Sequence, residues 1–364
     1  MTTSNKAVSV YVHFPFCVKK CAYCAFFSKP CRDEKLFDDY TSALICRIKS
    51  MPRLDVGTVY FGGGTPSVLG SARLCRILDG ITHSLNVSAD AEITVEVNPG
   101  TIGAEGLEDL KSGGFNRISI GMQSANDKTL DTLGRIHSND GFLRCYEHAR
   151  KYFDNVSVDL IFALPEDDFD NTISQVVDLS PSHVSAYSLM LEEGTPLYSK
   201  RNALRFPGEY EEEKQYKTLC GALENAGYTH YEISSFAKKG RESKHNTVYW
   251  ERGDYIGIGP SAHSYFNGKR FSVPADTGGF IKNASLPFLS DTDYDTAPVI
   301  SETESEEERI MLGLRLAKGV SLPESKLNIA KRFAETGFGK IENGVFSLND
   351  KGFRVSNSII AALI

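Results

Sequence analysis

The chain has 364 residues, 41% hydrophobic and 24% charged, with 40 Lys+Arg against 47 Asp+Glu and a net charge of −7. That length exceeds one small core, so a large α/β domain with an appendage, or two to three ordinary domains, is expected. An acidic chain offers no basic patch for counterion release, which argues against nucleic acid as a partner, and no apolar run is long enough to be a transmembrane segment. Residues Met1 to Ala7 are polar and give no secretory signal. The eight cysteines, five of them scattered singly, therefore fit a reducing, cytoplasmic setting better than a disulfide framework.

Strand-like runs alternate with helical patterns. Val8–Phe14 reads as a strand and Leu36–Ile48 as a helix. Thr58–Phe61 runs into Gly62-Gly-Gly-Thr-Pro66, and Ala72–Leu85 shows helical spacing. Glu92–Val97 precedes a helix at Ala104–Ser112, and Arg117–Ile120 precedes helical stretches at Asn126–Leu133 and Phe142–Tyr152. Val156–Phe162 and His183–Ser188 flank a helix near Thr172–Leu179. Such alternation with short loops predicts parallel strands, and polar residues crowding the strand C-termini favour a partial (β/α)6 TIM-like barrel over a doubly wound sheet. The pattern changes after about residue 235, giving expected divisions of 1–235 and 236–364, the second a smaller α+β unit. There, Glu306–Ala317 reads as a helix, Ile341–Leu348 as a hairpin and Lys351–Leu363 as a final helix.

The chemistry concentrates just behind the first strand, in Cys17-Val-Lys-Lys-Cys21-Ala-Tyr-Cys24. Three thiolates on one loop can reach a single metal centre. Three suit an iron–sulfur cluster with one iron free of protein; the alternative is zinc completed by Cys31 or a histidine. Lys19 and Lys20 either offset the cluster's negative charge or are simply solvated. The glycine run would let a ligand approach the backbone with no Cβ in the way, but matches neither a Walker A loop nor a dinucleotide fingerprint. Glu96, Gln123, Arg135 and Asp159 recur at later strand ends, where a barrel builds its active site.

These texts together resemble the radical S-adenosylmethionine (SAM) enzymes. Tyr11-Val-His-Phe-Pro-Phe-Cys17, Phe61-Gly-Gly-Gly-Thr-Pro66, Glu96-Val-Asn-Pro99, Ile120-Gly-Met-Gln-Ser124, Leu133-Gly-Arg-Ile-His137 and Asp159-Leu-Ile-Phe-Ala-Leu-Pro165 are similar to one branch. That branch holds oxygen-independent coproporphyrinogen III dehydrogenase and the HemW-type heme chaperones. The resemblance implies a [4Fe–4S] cluster on Cys17, Cys21 and Cys24, with SAM chelating the open iron. It places Tyr11 and Tyr23 near SAM at the cluster, and Gly63, Gly64 and Thr65 on the methionine moiety. Glu96 falls on the ribose, and Gln123, Arg135 and Asp159 on the remaining polar groups. Cleavage of SAM to methionine and a 5′-deoxyadenosyl radical, fed by a reductant such as flavodoxin or ferredoxin, is also implied.

Two departures from the dehydrogenase favour the chaperones. Phe26 stands where the dehydrogenase has a fourth cysteine, and Tyr11 lies close to the N-terminus of this sequence. His245-Asn-Thr-Val-Tyr-Trp250 matches the HNxxYW motif of the chaperones. The resemblance then implies heme as bound cargo for a client hemoprotein, with His245 able to ligate iron and Tyr249 and Trp250 able to stack on a porphyrin. Read without the resemblance, the same residues are a capping histidine and two aromatics packing a domain junction.

Overall fold

The computed structural model describes residues 7–364. Six strands follow one another in space as in sequence: β1 (Val8–Phe14), β2 (Asp55–Gly63), β3 (Asn86–Val97), β4 (Arg117–Gln123), β5 (Val156–Phe162) and β6 (His183–Ser188). All five pairings between them are parallel. The sheet continues past β6 into the antiparallel β7 (Thr229–Glu232) and β8 (Ser235–Ala237). Past β1 it gains β9 (Tyr255–Ile258), parallel to β1, and the antiparallel β10 (His263–Phe266) and β11 (Lys269–Ser272). The resulting 11 strands form an open series whose outer strands, β11 and β7, are not paired to each other. This is the expected partial barrel.

The helices start where short polar side chains satisfy the first free N–H groups. Asp33 accepts from Leu36 N–H ahead of α1 (Glu34–Lys49), and Ser138 accepts from Gly141 N–H ahead of the helix Asn139–Tyr152. Asp168, in the polar stretch after Pro165, caps the helix Phe169–Leu179. β3 begins six residues before the expected Glu92, where Asn86 and Val87 pair with Asp55 and Val56 of β2; the stretch is largely exposed, which hid it from an apolar pattern. The long helix Glu209–Asn225, one flank of the later site, has no counterpart among the sequence expectations; only four of its residues are buried.

Among the described residues three apolar clusters form, a small one around Leu133, Ile161, Leu164 and Leu197 and two large ones that part near residue 300. Of the large two, the first includes Ile256, Ile258, Val273 and Phe280, since β9 pairs with β1. The second runs from Ile310 to Leu363. Its first helix spans Glu302–Gly313, ending short of the expected Ala317. The following residues pair with β7 instead: Ile233 N–H donates to Arg315 O (2.8 Å) and Ala317 N–H to Tyr231 O (2.9 Å). Tertiary pairing outcompetes helix propensity there. The predicted hairpin forms from Gly339–Glu342 and Val345–Leu348, turning through Asn343 and Gly344, both at positive φ. The final helix is two pieces, Asp350–Arg354 and Ser356–Leu363. Among the described residues, no helix is long and apolar enough to cross a membrane.

Candidate cluster and cofactor site

The cysteine loop leaves β1 and is closed by main-chain bonds. Phe16–Cys17 pairs with Lys29–Pro30, Ala22 N–H donates to Leu133 O (2.8 Å), and Lys20 Nζ donates to Phe26 O (2.9 Å). The buried His13 ring bonds Phe27 O through Nε2 (2.9 Å), fastening the loop's far end to the strand. Irregular backbone thus becomes a fixed platform for three thiols.

Cys17, Cys21 and Cys24 line a cavity of about 860 Å³ at the C-terminal ends of the parallel strands. Thr65 Oγ1 lies 3.6 Å from Cys17 Sγ, and Arg135 Nη1 lies 3.6 Å from Cys21 Sγ. Both are donors to sulfur. Burial pushes the Cys24 thiol up, opposed by the Phe26 backbone hydrogen bond and the Lys20 charge. Four sulfurs around one zinc would sit about 3.8 Å apart at a Zn–S length of about 2.3 Å. Among the described residues, the only three ligand atoms mutually within 4.8 Å belong to Cys220, His230 and Asp350, so these loop sulfurs are spread more widely. That spread and the all-thiol donor set fit a multi-iron cluster, which when bound would supply an electron and an open iron.

The cavity wall continues from β2. Gly63 has φ +112°, and a Cβ there would lie 2.6 Å from the His13 ring; one on Gly64 would lie 2.6 Å from Phe16 O. Only glycine permits this close passage of backbone. Asn98 Nδ2 donates to Thr65 Oγ1 (2.7 Å), and Arg135 Nη2 donates to Asn98 Oδ1 (2.5 Å) and Gly121 O (2.8 Å). Asn98 is therefore the brace between the β2 and β4 ends. Sequence reasoning quoted it but gave it no role. Gln123 sits at φ +68°, a strained setting for a side chain, which turns it at the end of β4 toward the cavity. Asp159 accepts from Ser119 Oγ at 3.0 Å through each oxygen.

Of the sequence candidates, Tyr23, Gly63, Gly64, Thr65, Glu96, Gln123, Arg135 and Asp159 all meet at this one cavity. Tyr11 does not. Its hydroxyl bonds His13 Nδ1 (3.1 Å) and its ring stacks on Tyr60, so it supports the wall from behind. Tyr60 and Arg117 line the cavity too, though no motif signalled them.

His245 departs furthest from expectation. Its ring is buried, with Nδ1 on Thr58 Oγ1 (2.7 Å) and Nε2 on Tyr249 Oη (2.8 Å). It stacks on Tyr60 at 5.0 Å, and burial lowers its pKa to about 3. Both nitrogens being engaged, His245 is not presented to an iron. Its neighbour Asn246 is the motif residue that lines the cavity.

Comparison with known proteins agrees with this geometry. The family model for the Radical SAM superfamily matches residues 11–176. A heme chaperone HemW of Bacillus subtilis is 36% identical over 352 residues, covering 93% of this chain and 89% of that protein. A radical S-adenosyl methionine domain-containing protein 1 of Danio rerio is 34% identical, covering 96% of this chain and 83% of its own. The chain belongs to the radical SAM superfamily, in its HemW-type branch. The solved coproporphyrinogen III oxidase HemN of Escherichia coli shares the fold of this HemW-type protein, with a TM-score of 0.84 at 20% identity over 99% of this chain and 90% of that one.

One electrostatic feature of this HemW-type site is testable at once. Burial pushes the Glu96 carboxyl up to about 7, against hydrogen bonds from Tyr60 Oη (2.8 Å) and Gly63 N–H (3.3 Å). If Glu96 takes the hydroxyls of a bound SAM, its ionised form, with two acceptor oxygens, is the one that serves. SAM affinity should therefore fall as pH drops below about 7, by up to about tenfold per pH unit. Calorimetric titration between about pH 6 and pH 8 checks this, and Glu96→Gln should bind weakly with no such slope.

Proposed function

We propose that this chain is a heme chaperone: it holds a [4Fe–4S] cluster on Cys17, Cys21 and Cys24, binds SAM beside it, and carries heme to a client hemoprotein in the cytoplasm. The observation that carries the reading is Phe26, which takes the position of the dehydrogenase's fourth cysteine and lines the cavity while 69% exposed. A thiol available to cluster chemistry is thereby replaced by an apolar face suited to a flat ring. Tyr187 and Met190, also exposed, line the same cavity. Tyr23, Gly63, Gly64, Thr65, Glu96, Gln123, Arg135 and Asp159 would hold SAM, orient it at the open iron and exclude water. A flavodoxin- or ferredoxin-type reductant would supply the electron.

Because His245 is sealed off, we place the cargo in the cavity rather than on that ring. The second reading is oxidative decarboxylation of coproporphyrinogen III, favoured by how fully the SAM end of the cavity is assembled. The reconstituted protein is expected to shift the Soret band of hemin saturably and to form no protoporphyrinogen IX from coproporphyrinogen III under reducing, anaerobic conditions with SAM. Absence of the shift sinks the chaperone reading, and product formation establishes the second.

A further inference from the structure

The cavity is also lined by residues outside the cluster and SAM sets. They include Ile233 and Ser234 after β7, and Arg315, Phe353, Ser356 and Asn357 of the second core. Arg315 is held in place by its own main chain, whose carbonyl accepts from Ile233 N–H. Its guanidinium donates to neutral oxygens, Ser356 Oγ (3.1 Å) through Nη1 and Asn357 Oδ1 (2.6 Å) through Nη2. It is about half-buried, and burial lowers its pKa, opposed by the charge of Glu232. Glu232 is itself turned to the backbone N–H of Ser234. The other arginine on this side, Arg354, is paired with Glu213 at 3.0 Å.

A partly desolvated guanidinium bonded only to neutral groups keeps its attraction for an anion, and its planar donor fork matches a carboxylate. Ser356 and Asn357 fix its orientation without neutralising it. Phe353, which also lines the cavity, is packed into the second core and gives this wall an apolar backing.

We propose that Arg315 receives a carboxylate of a flat macrocyclic cargo in this cavity, so that the second core reads the cargo's acid groups while the barrel holds the cofactor. This rests on the heme reading above and adds to it a specificity-determining residue. The arrangement also joins the two cores functionally, because the residue that would grip the cargo sits on the segment paired with β7.

The test compares hemin with hemin dimethyl ester, whose ring and iron are unchanged but whose acids are masked. Both are titrated in the same detergent into the full-length, cluster-loaded protein and into Arg315→Gln. The natural protein is expected to bind hemin at least about tenfold more tightly than the ester. Arg315→Gln should lose most of that preference while binding the ester as before, with its iron–sulfur absorbance and SAM affinity intact. Equal binding of the two probes by the natural protein, or an undiminished preference in Arg315→Gln, overturns the assignment while leaving the chaperone reading in place. If neither probe binds, the chaperone reading itself fails, and this assignment with it. Arg315→Lys distinguishes charge from fork: it should keep part of the preference, whereas a purely structural role would affect acid and ester alike.

Discussion

Alanine at Cys17, Cys21 or Cys24 is expected to abolish the brown iron–sulfur absorbance and SAM cleavage together, whereas Cys31→Ala leaves both intact. The three loop thiols face one cavity, and two of them already lie within reach of hydrogen-bond donors from Thr65 and Arg135. Cys31 is outside it. Its backbone N–H donates to Cys17 O, and its sulfur accepts weakly from Asp33 N–H at 3.5 Å, which suits a loop-closing residue. Iron and sulfide analysis after anaerobic reconstitution decides the matter. Removing one of three protein ligands leaves two irons of the cluster uncovered, so the expected loss is close to complete. Because the loop is tied down by main-chain bonds, these variants should melt with the natural protein when both lack metal. An essential Cys31 would mean that the ligand set is drawn wrongly.

The same loop shows what was legible from the residues alone. Spacing placed the three thiols together because they lie within eight residues on one loop, and local geometry does the rest. Glu96 and Gln123 were legible because parallel strands in sequential order bring all C-termini to one face, whereas Arg135 reaches the cavity from the turn after the helix Asp127–Thr132 and Asp159 from the middle of β5. What was not legible depends on contacts distant in sequence. Asn98 acquires its role from Thr65 and Arg135, neither of which is near it in the chain. Arg315 reaches the cavity because a helix stops early to pair with β7, a decision made by Tyr231 and Ile233 rather than by the helix. Tyr11 and His245 show the same dependence on distant contacts. Both carry polar tips that suggest ligand binding, and in the fold both tips are spent on internal hydrogen bonds.

The hydrogen bonds of the His245 ring carry a sharp expectation. If its ring were the iron ligand, His245→Ala would abolish hemin binding and leave a sound fold. The structure leads to the opposite expectation. The substitution strands the buried hydroxyl of Tyr249, removes one of the two partners of Thr58 Oγ1, and opens a void against Tyr60. Stranded buried polar groups cost about 1–3 kcal/mol each and a side-chain cavity adds to this, so a loss of about 3–5 kcal/mol is expected. Hemin affinity, measured below the lowered melting temperature, should stay within about threefold of the natural value. SAM affinity should suffer more, since Tyr60 connects the His245 ring to Glu96. A pH signature separates this from a general weakening. With its folded pKa depressed to about 3 from 6.5, neutral His245 contributes stability that is lost as pH falls from about 6.5 toward 3, where the unfolded chain takes up the proton first. The natural protein should lose up to about 1.4 kcal/mol per pH unit from this group across that window, and His245→Ala should lack that share of the slope. Retained stability with vanished hemin binding in His245→Ala would reinstate the ring as the ligand and require Thr58 and Tyr249 to release it.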